Sequence, residues 1–279
     1  MRRNFVAYDE TQSVFRRHDL RENLWSPRSA GAVSPLTRPA RPRARWFTGR
    51  VTTFEYSNLS GRPPGPVVSK LALVLPGVRS VMEQVEPYAR WWEDANRRAL
   101  GSGRPLWVAL GDSMTQGIGA SAPDRGWVGQ LAGDPPSALR DVAVLNLSFN
   151  GARVLDVLDR QLPALEQVRA LGHEVALVTL LIGNNDLMSP RWSRRLPAAT
   201  EQLLDAVPRG TVVATQPGLQ RSAVAFNRVV DARARRGEIR VADFRVPHMR
   251  DWRGRLAEDR FHPNDRGYAG MAEVVRRAL

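Results

Sequence analysis

A chain of 279 residues can bury one large core and still carry extensions, and its 43% hydrophobic and 25% charged content is ordinary for a globular protein. The absence of cysteine excludes a disulfide framework, a thiolate nucleophile and a cysteine-based metal site, and it fits a reducing compartment. The net charge of +13 suggests nucleic acid at first, but Lys70 is the only lysine and residues 1–50 hold eleven arginines against four acids. Arginine bias points to base composition and a basic arm is usually a solvated tail, so nucleic acid is not expected as the main partner.

Residues 1–50 are expected to be a basic Arg/Pro-rich arm, partly disordered, with Pro27, Pro35, Pro39 and Pro42 marking an extended stretch. Arg2-Arg3 is followed by mixed sequence carrying Asp9, Glu10 and Asp19, so no export signal is expected. The longest apolar run, residues 175–182, is too short for a transmembrane segment. The expectation is a soluble, unexported, cytoplasmic protein.

Residues 51–104 are expected to be a strand/helix extension that packs on the core. The alternation over 50–56 is strand-like, 67–75 suggests a second strand, and 78–100 has helical spacing through Val81, Val85, Tyr88, Ala89 and Trp92. Pro87 predicts a kink or two shorter helices there.

From residue 105 to 279, strands and helices alternate. The strands are expected at 106–110, 142–147, 175–182, 211–215 and 239–243. The helices are expected at 154–171, 196–206, 222–236 and 264–278. Short apolar strands separated by helical crossovers predict an α/β fold: a three-layer α/β/α domain on a five-stranded parallel sheet, flavodoxin-like.

Chemistry in such a sheet belongs in the loops after the strands. After the first comes Gly111-Asp112-Ser113, a tight turn that suits a nucleophilic serine and equally a plain helix N-cap. After the second, Gly151 stands just before a helix, able to offer its N–H or simply to make a turn. After the third, Gly183-Asn184-Asn185-Asp186 offers amide donors for an oxyanion, or Asx-turn chemistry. Near the C-terminus, Asp259 and His262 are three apart, so one carboxylate can orient one imidazole. His248, which follows the last strand, is the one rival among the four histidines, since His173 precedes a strand and His18 lies in the arm.

With these four blocks in order, residues 105–279 resemble the SGNH branch of the GDSL hydrolases, a family of serine esterases and lipases. Met114 stands where the family name has leucine, and Ser148 where many members have glycine, a change that narrows the space near Gly151. The resemblance implies Ser113 as nucleophile and first oxyanion donor, Gly151 as the second donor and Asn185 as the third. It implies Asp259 and His262 as the acid and base of the triad, with Asp112 only shaping the turn. It implies hydrolysis of carboxylic esters by two-step acyl transfer, with no metal or organic cofactor.

The implied partner is a small-molecule ester, either a lipid or an acylated sugar. An acyltransferase or deacetylase on the same site is the alternative, and a binding module using the basic arm is the rival from another class. Residues 190–195, with Arg191, Trp192, Arg194 and Arg195, are expected to form a wall that suits a polar or anionic substrate.

Overall fold

The computed structural model describes residues 53–63 and 65–279. The expected arm lies outside them. Three helices come first: α1 (Pro66–Val74), α2 (Pro76–Glu83) and α3 (Val85–Gly101). Then β1 (Leu106–Gly111) leads into α4 (Ser113–Gln116) and α5 (Trp127–Gly133), and β2 (Ala143–Asn146) follows. The next helix begins as α6 (Val154–Asp156), passes through a π-helical turn (Val157–Gln161) and continues as α7 (Leu162–Ala170). Then come β3 (Val175–Leu181), α8 (Asn184–Leu187), α9 (Pro190–Ser193), α10 (Leu196–Ala206) and β4 (Val212–Ala214). Helix α11 (Arg221–Arg235), β5 (Arg240–Ala242) and α12 (Asp265–Arg276) complete the chain.

The five strands are all parallel, in the order β2-β1-β3-β4-β5. All six residues of β1 are buried, as a central strand covered on both faces requires. The pleat sends its side chains alternately to two cores. Leu106, Val108 and Leu110 join Val154, Leu165, Leu203 and Phe226 from α6, α7, α10 and α11. Trp107 and Ala109 join Trp92, Trp127, Leu131, Tyr268 and Met271 from α3, α5 and α12. The result is the expected three-layer α/β/α fold. The strand order reverses between β1 and β3, the switch point where open sheets of this kind bind ligands beyond their carboxyl ends.

Two expectations for the N-terminal region need correction. Residues 67–75 are not a strand. Pro66 sits at the first helical position with its φ already helix-like, and α1 runs to Val74. Leu73, Val74 and Leu75 remain exposed. Residues 53–56 alternate as read, with Thr53 and Glu55 outward and Phe54 and Tyr56 packed on the first core, but they pair with no strand. The Tyr56 hydroxyl instead donates to the Leu147 carbonyl beyond β2. The helical stretch divides as expected, with the break at Gln84 and Pro87 inside the first turn of α3, where its missing N–H costs nothing.

Among the described residues, no helix is long and apolar enough to cross a membrane.

Candidate active site

The chain leaves β1 at Gly111 and enters α4 at Ser113. Asp112 is the N-cap, and its carboxylate accepts the Met114 N–H at 3.0 Å. The turn-shaping role expected for Asp112 is therefore visible as a hydrogen bond. Ser113 holds the first helical position, whose N–H has no acceptor within a helix and remains available to another partner.

A loop near the C-terminus brings two more groups to that serine. His262 Nε2 lies 3.0 Å from Ser113 Oγ, and His262 Nδ1 lies 2.6 Å from Asp259 Oδ2. The other carboxylate oxygen of Asp259 accepts the N–H groups of Phe261 and His262, each at 3.0 Å. Both oxygens of the carboxylate are engaged, so the imidazole is held at one edge and presents the other to the hydroxyl. Asn264 then caps α12, accepting from the Arg266 and Gly267 N–H groups. His248 lies on a separate turn (Pro247–Met249), and the imidazole hydrogen-bonded to Ser113 is that of His262.

The second and third expected donors meet the first through Asn185. Its Nδ2 donates to the Ala152 carbonyl at 2.9 Å and lies 3.5 Å from Asp112 Oδ2. One amide thus stands between the neighbour of Ser113 and the neighbour of Gly151. Gly151 has φ +76, and open space lies where a Cβ would be. Asp186 accepts the Val154 N–H at 3.1 Å, tying α8 to the start of α6. Ser148 does not crowd Gly151 as expected, because its hydroxyl donates to Asn146 Oδ1 at 2.5 Å.

Three carboxyl groups of the site differ by environment. Burial alone would raise Asp259, but the His262 hydrogen bond and charge and the two backbone donors outweigh it, holding the group below the usual carboxylate range. Burial pushes Asp112 up to about 7 against the pull of the Met114 N–H and His262. Burial likewise pushes Asp186 up to about 6. The negative charge nearest the imidazole is therefore concentrated on Asp259. Among the described residues, no group of three or more His, Asp or Glu side chains is disposed to hold a metal ion.

The residues that hold these groups in place were not visible in the sequence. The fully buried Asn58 donates to the carbonyls of Asn146 (2.9 Å) and Ser148 (2.7 Å), and its own carbonyl accepts from Gln116 Nε2 (2.9 Å). Asn96 on α3 donates to the Asn146 carbonyl at 2.8 Å and accepts its N–H at 2.8 Å, while Asn146 Nδ2 donates to the Thr115 carbonyl. This buried network ties α4 to the loop that leads to Gly151. Arg62 continues along the same loop, reaching the Gly151 carbonyl at 3.3 Å and Asp156 at 2.8 Å.

The turn after α4 is held as firmly. Its carbonyls accept from Trp92 Nε1 (at Gln116), from Tyr88 and Gln84 (at Ala120) and from Tyr268 (at Ile118). Such contacts join residues 24 to 150 positions apart, so no local pattern announces them.

With this geometry in view, the chain can be compared with known proteins. The family model described as GDSL-like lipase/acylhydrolase matches residues 109–269. The chain belongs to this family, and it is a hydrolase. Solved structures similar to it include TesA, with 22% identity, 62% of this chain and 97% of that chain covered, and a TM-score of 0.45. An extracellular lipase from Streptomyces rimosus is 19% identical, covering 63% of this chain and all (100%) of that one, with a TM-score of 0.41. A lipase/acylhydrolase from Enterococcus faecalis is 18% identical, covering 62% and 94%, with a TM-score of 0.47. No curated protein matches the chain.

Proposed function

We propose that the protein hydrolyses carboxylic esters by two-step acyl transfer on Ser113. The observation that carries this reading is the relay from Asp259 Oδ2 through His262 to Ser113 Oγ, with links of 2.6 and 3.0 Å. His262 Nε2 takes the Ser113 proton as Oγ attacks the ester carbonyl. Asp259 keeps Nδ1 protonated and stabilises the imidazolium that forms.

The oxyanion of the tetrahedral intermediate receives hydrogen bonds from the N–H groups of Ser113 and Gly151 and from the Asn185 amide. His262 returns the proton to the leaving alcohol, the acyl group stays on Ser113, and water activated by the same imidazole releases it. Every proton moves through one side chain, so no cofactor is required by the scheme.

The experiment that tests this reading is hydrolysis of a panel of aryl esters from acetyl to palmitoyl. Labelling of Ser113 by a fluorophosphonate is read alongside. Release of the aryl alcohol together with a covalent adduct on Ser113 is expected. Turnover with no adduct on Ser113 would place the nucleophile elsewhere. The dependence on chain length separates a short-chain or sugar-ester esterase from a lipase.

A further inference from the structure

Beside the two oxyanion loops stands one indole ringed by arginines. Trp192 lies on α9, the helix directly after the one that carries Asn185. The guanidinium carbons of Arg153, Arg191 and Arg195 lie 5.0, 5.3 and 5.9 Å from its ring centroid. Arg153 comes from the other loop, two residues beyond Gly151. The indole thus spans the same junction that the Asn185–Ala152 hydrogen bond closes.

Three like charges gathered on one ring repel one another unless something neutralises them. Other arginine centres of this chain carry their own counterions. Arg233 binds Glu201, Asp205 and Glu238, and Arg245 binds Asp231 and Asp243. Among the described residues, no carboxylate forms a salt bridge with Arg153, Arg191 or Arg195. Of the acids at hand, Asp156 pairs with Arg62, and the buried Asp186, which accepts from the Val154 N–H, feels the charge of Arg153 without forming a salt bridge to it and leaves Arg191 and Arg195 unmatched. The Nε of Arg153 is buried and has no hydrogen-bond partner. An orphaned guanidinium donor beside two further cations suits a planar or tetrahedral oxyanion, which guanidinium groups bind through paired N–H bonds.

We infer that Trp192 with Arg153, Arg191 and Arg195 forms a subsite for an anionic group of the substrate, so that the preferred ester bears a negative charge. This rests on the hydrolase reading above. The anion is either a carboxylate on the acyl side or a phosphate on the alcohol side. The indole offers a flat apolar face for the chain that joins the anion to the ester.

The test compares matched pairs of esters on the full chain. On the acyl side, mono-para-nitrophenyl glutarate is set against para-nitrophenyl pentanoate. On the alcohol side, butyryl glycerol phosphate is set against butyryl glycerol. At low salt, kcat/KM for one anionic ester is expected to exceed that of its neutral match by about tenfold or more.

The ratio is expected to fall towards one in the double variant Arg191→Gln, Arg195→Gln, whose two side chains are exposed and bear no part of the core. Arg209→Gln, ahead of β4 at the opposite end of the strands, is expected to keep the ratio. Which pair shows the preference tells which side bears the anion. A ratio near one in the intact chain, or a preference that survives in the double variant, overturns the subsite. Cleavage of no ester also overturns it, and labelling of Ser113 by a neutral fluorophosphonate then tells whether the hydrolase reading falls with it.

Discussion

Gln161 satisfies both backbone polar groups of Gly111, accepting its N–H and donating to its carbonyl, each at 2.8 Å. The π-helical turn Val157–Gln161 aims this fully buried side chain at the last residue of β1, two positions before Ser113. Gln161→Leu removes both partners and leaves a buried N–H and a buried carbonyl unpaired, at a cost of about 2–4 kcal/mol. Urea denaturation checks the stability, and a drop in kcat is expected with it because the nucleophile turn loosens. An unchanged denaturation midpoint would mean that the two groups find water instead.

Gly119, in the turn after α4, packs against the loop that carries the base. Its φ is +97, and a Cβ built there would lie 2.6 Å from His262 Cβ and 2.6 Å from the Pro263 carbonyl. Gly119→Ala must therefore push the imidazole loop away while also straining its own backbone. A fall in kcat of at least about tenfold is expected, since a displacement of roughly 1 Å can cost a hundredfold. Steady-state kinetics check this, and full activity would mean that the loop yields freely.

The buried acids give the stability a definite dependence on pH. Asp112, raised to about 7, favours the fold while protonated. Its contribution is full below the unfolded value of about 4 and is lost as pH rises through about 7. Asp259 has the opposite sign, its contribution being present above about 4 and lost as pH falls through its depressed folded value. Asp112→Asn keeps a cap acceptor and removes the first titration. The variant is expected to gain on the parent between pH 4.5 and 8 by up to about 4 kcal/mol, read from denaturation midpoints. Parallel curves for the two proteins would contradict the assignment.

The two acid–base candidates separate in a single comparison. Asp259→Asn leaves His262 without its carboxylate and is expected to lower kcat by about a thousandfold or more. His248→Ala is expected to leave kcat within about twofold, as removal of a side chain outside the relay should. Aryl ester kinetics on both variants check the order, and the reverse order would exchange the roles of the two histidines.

The sheet and the positions of the four loop blocks after its strands were legible because each rests on neighbours in sequence. A buried parallel strand is a short apolar run, and Asp259 and His262 are three apart whatever the rest of the chain does. What was not legible depends on distance along the chain. Asn58, Asn96 and Gln161 act through hydrogen bonds to residues 50 to 90 positions away, and as isolated amides in mixed sequence they look like ordinary polar residues. Residues 67–75 misled because an apolar run shorter than ten residues suits strand and helix alike, and only Pro66 at the helix start separates them. Helix α5 escaped notice for the same reason of length, with only seven residues, two of them the glycines Gly129 and Gly133.

The central claim is that Ser113 Oγ, 3.0 Å from His262 Nε2, is the nucleophile. The most direct test is Ser113→Ala, measured for aryl ester turnover and for thermal unfolding in the same preparation. The expected result is a fall in kcat of about a millionfold, or to the limit of detection, with the unfolding midpoint unchanged within experimental error. Near-parental turnover in a folded Ser113→Ala protein would contradict the account.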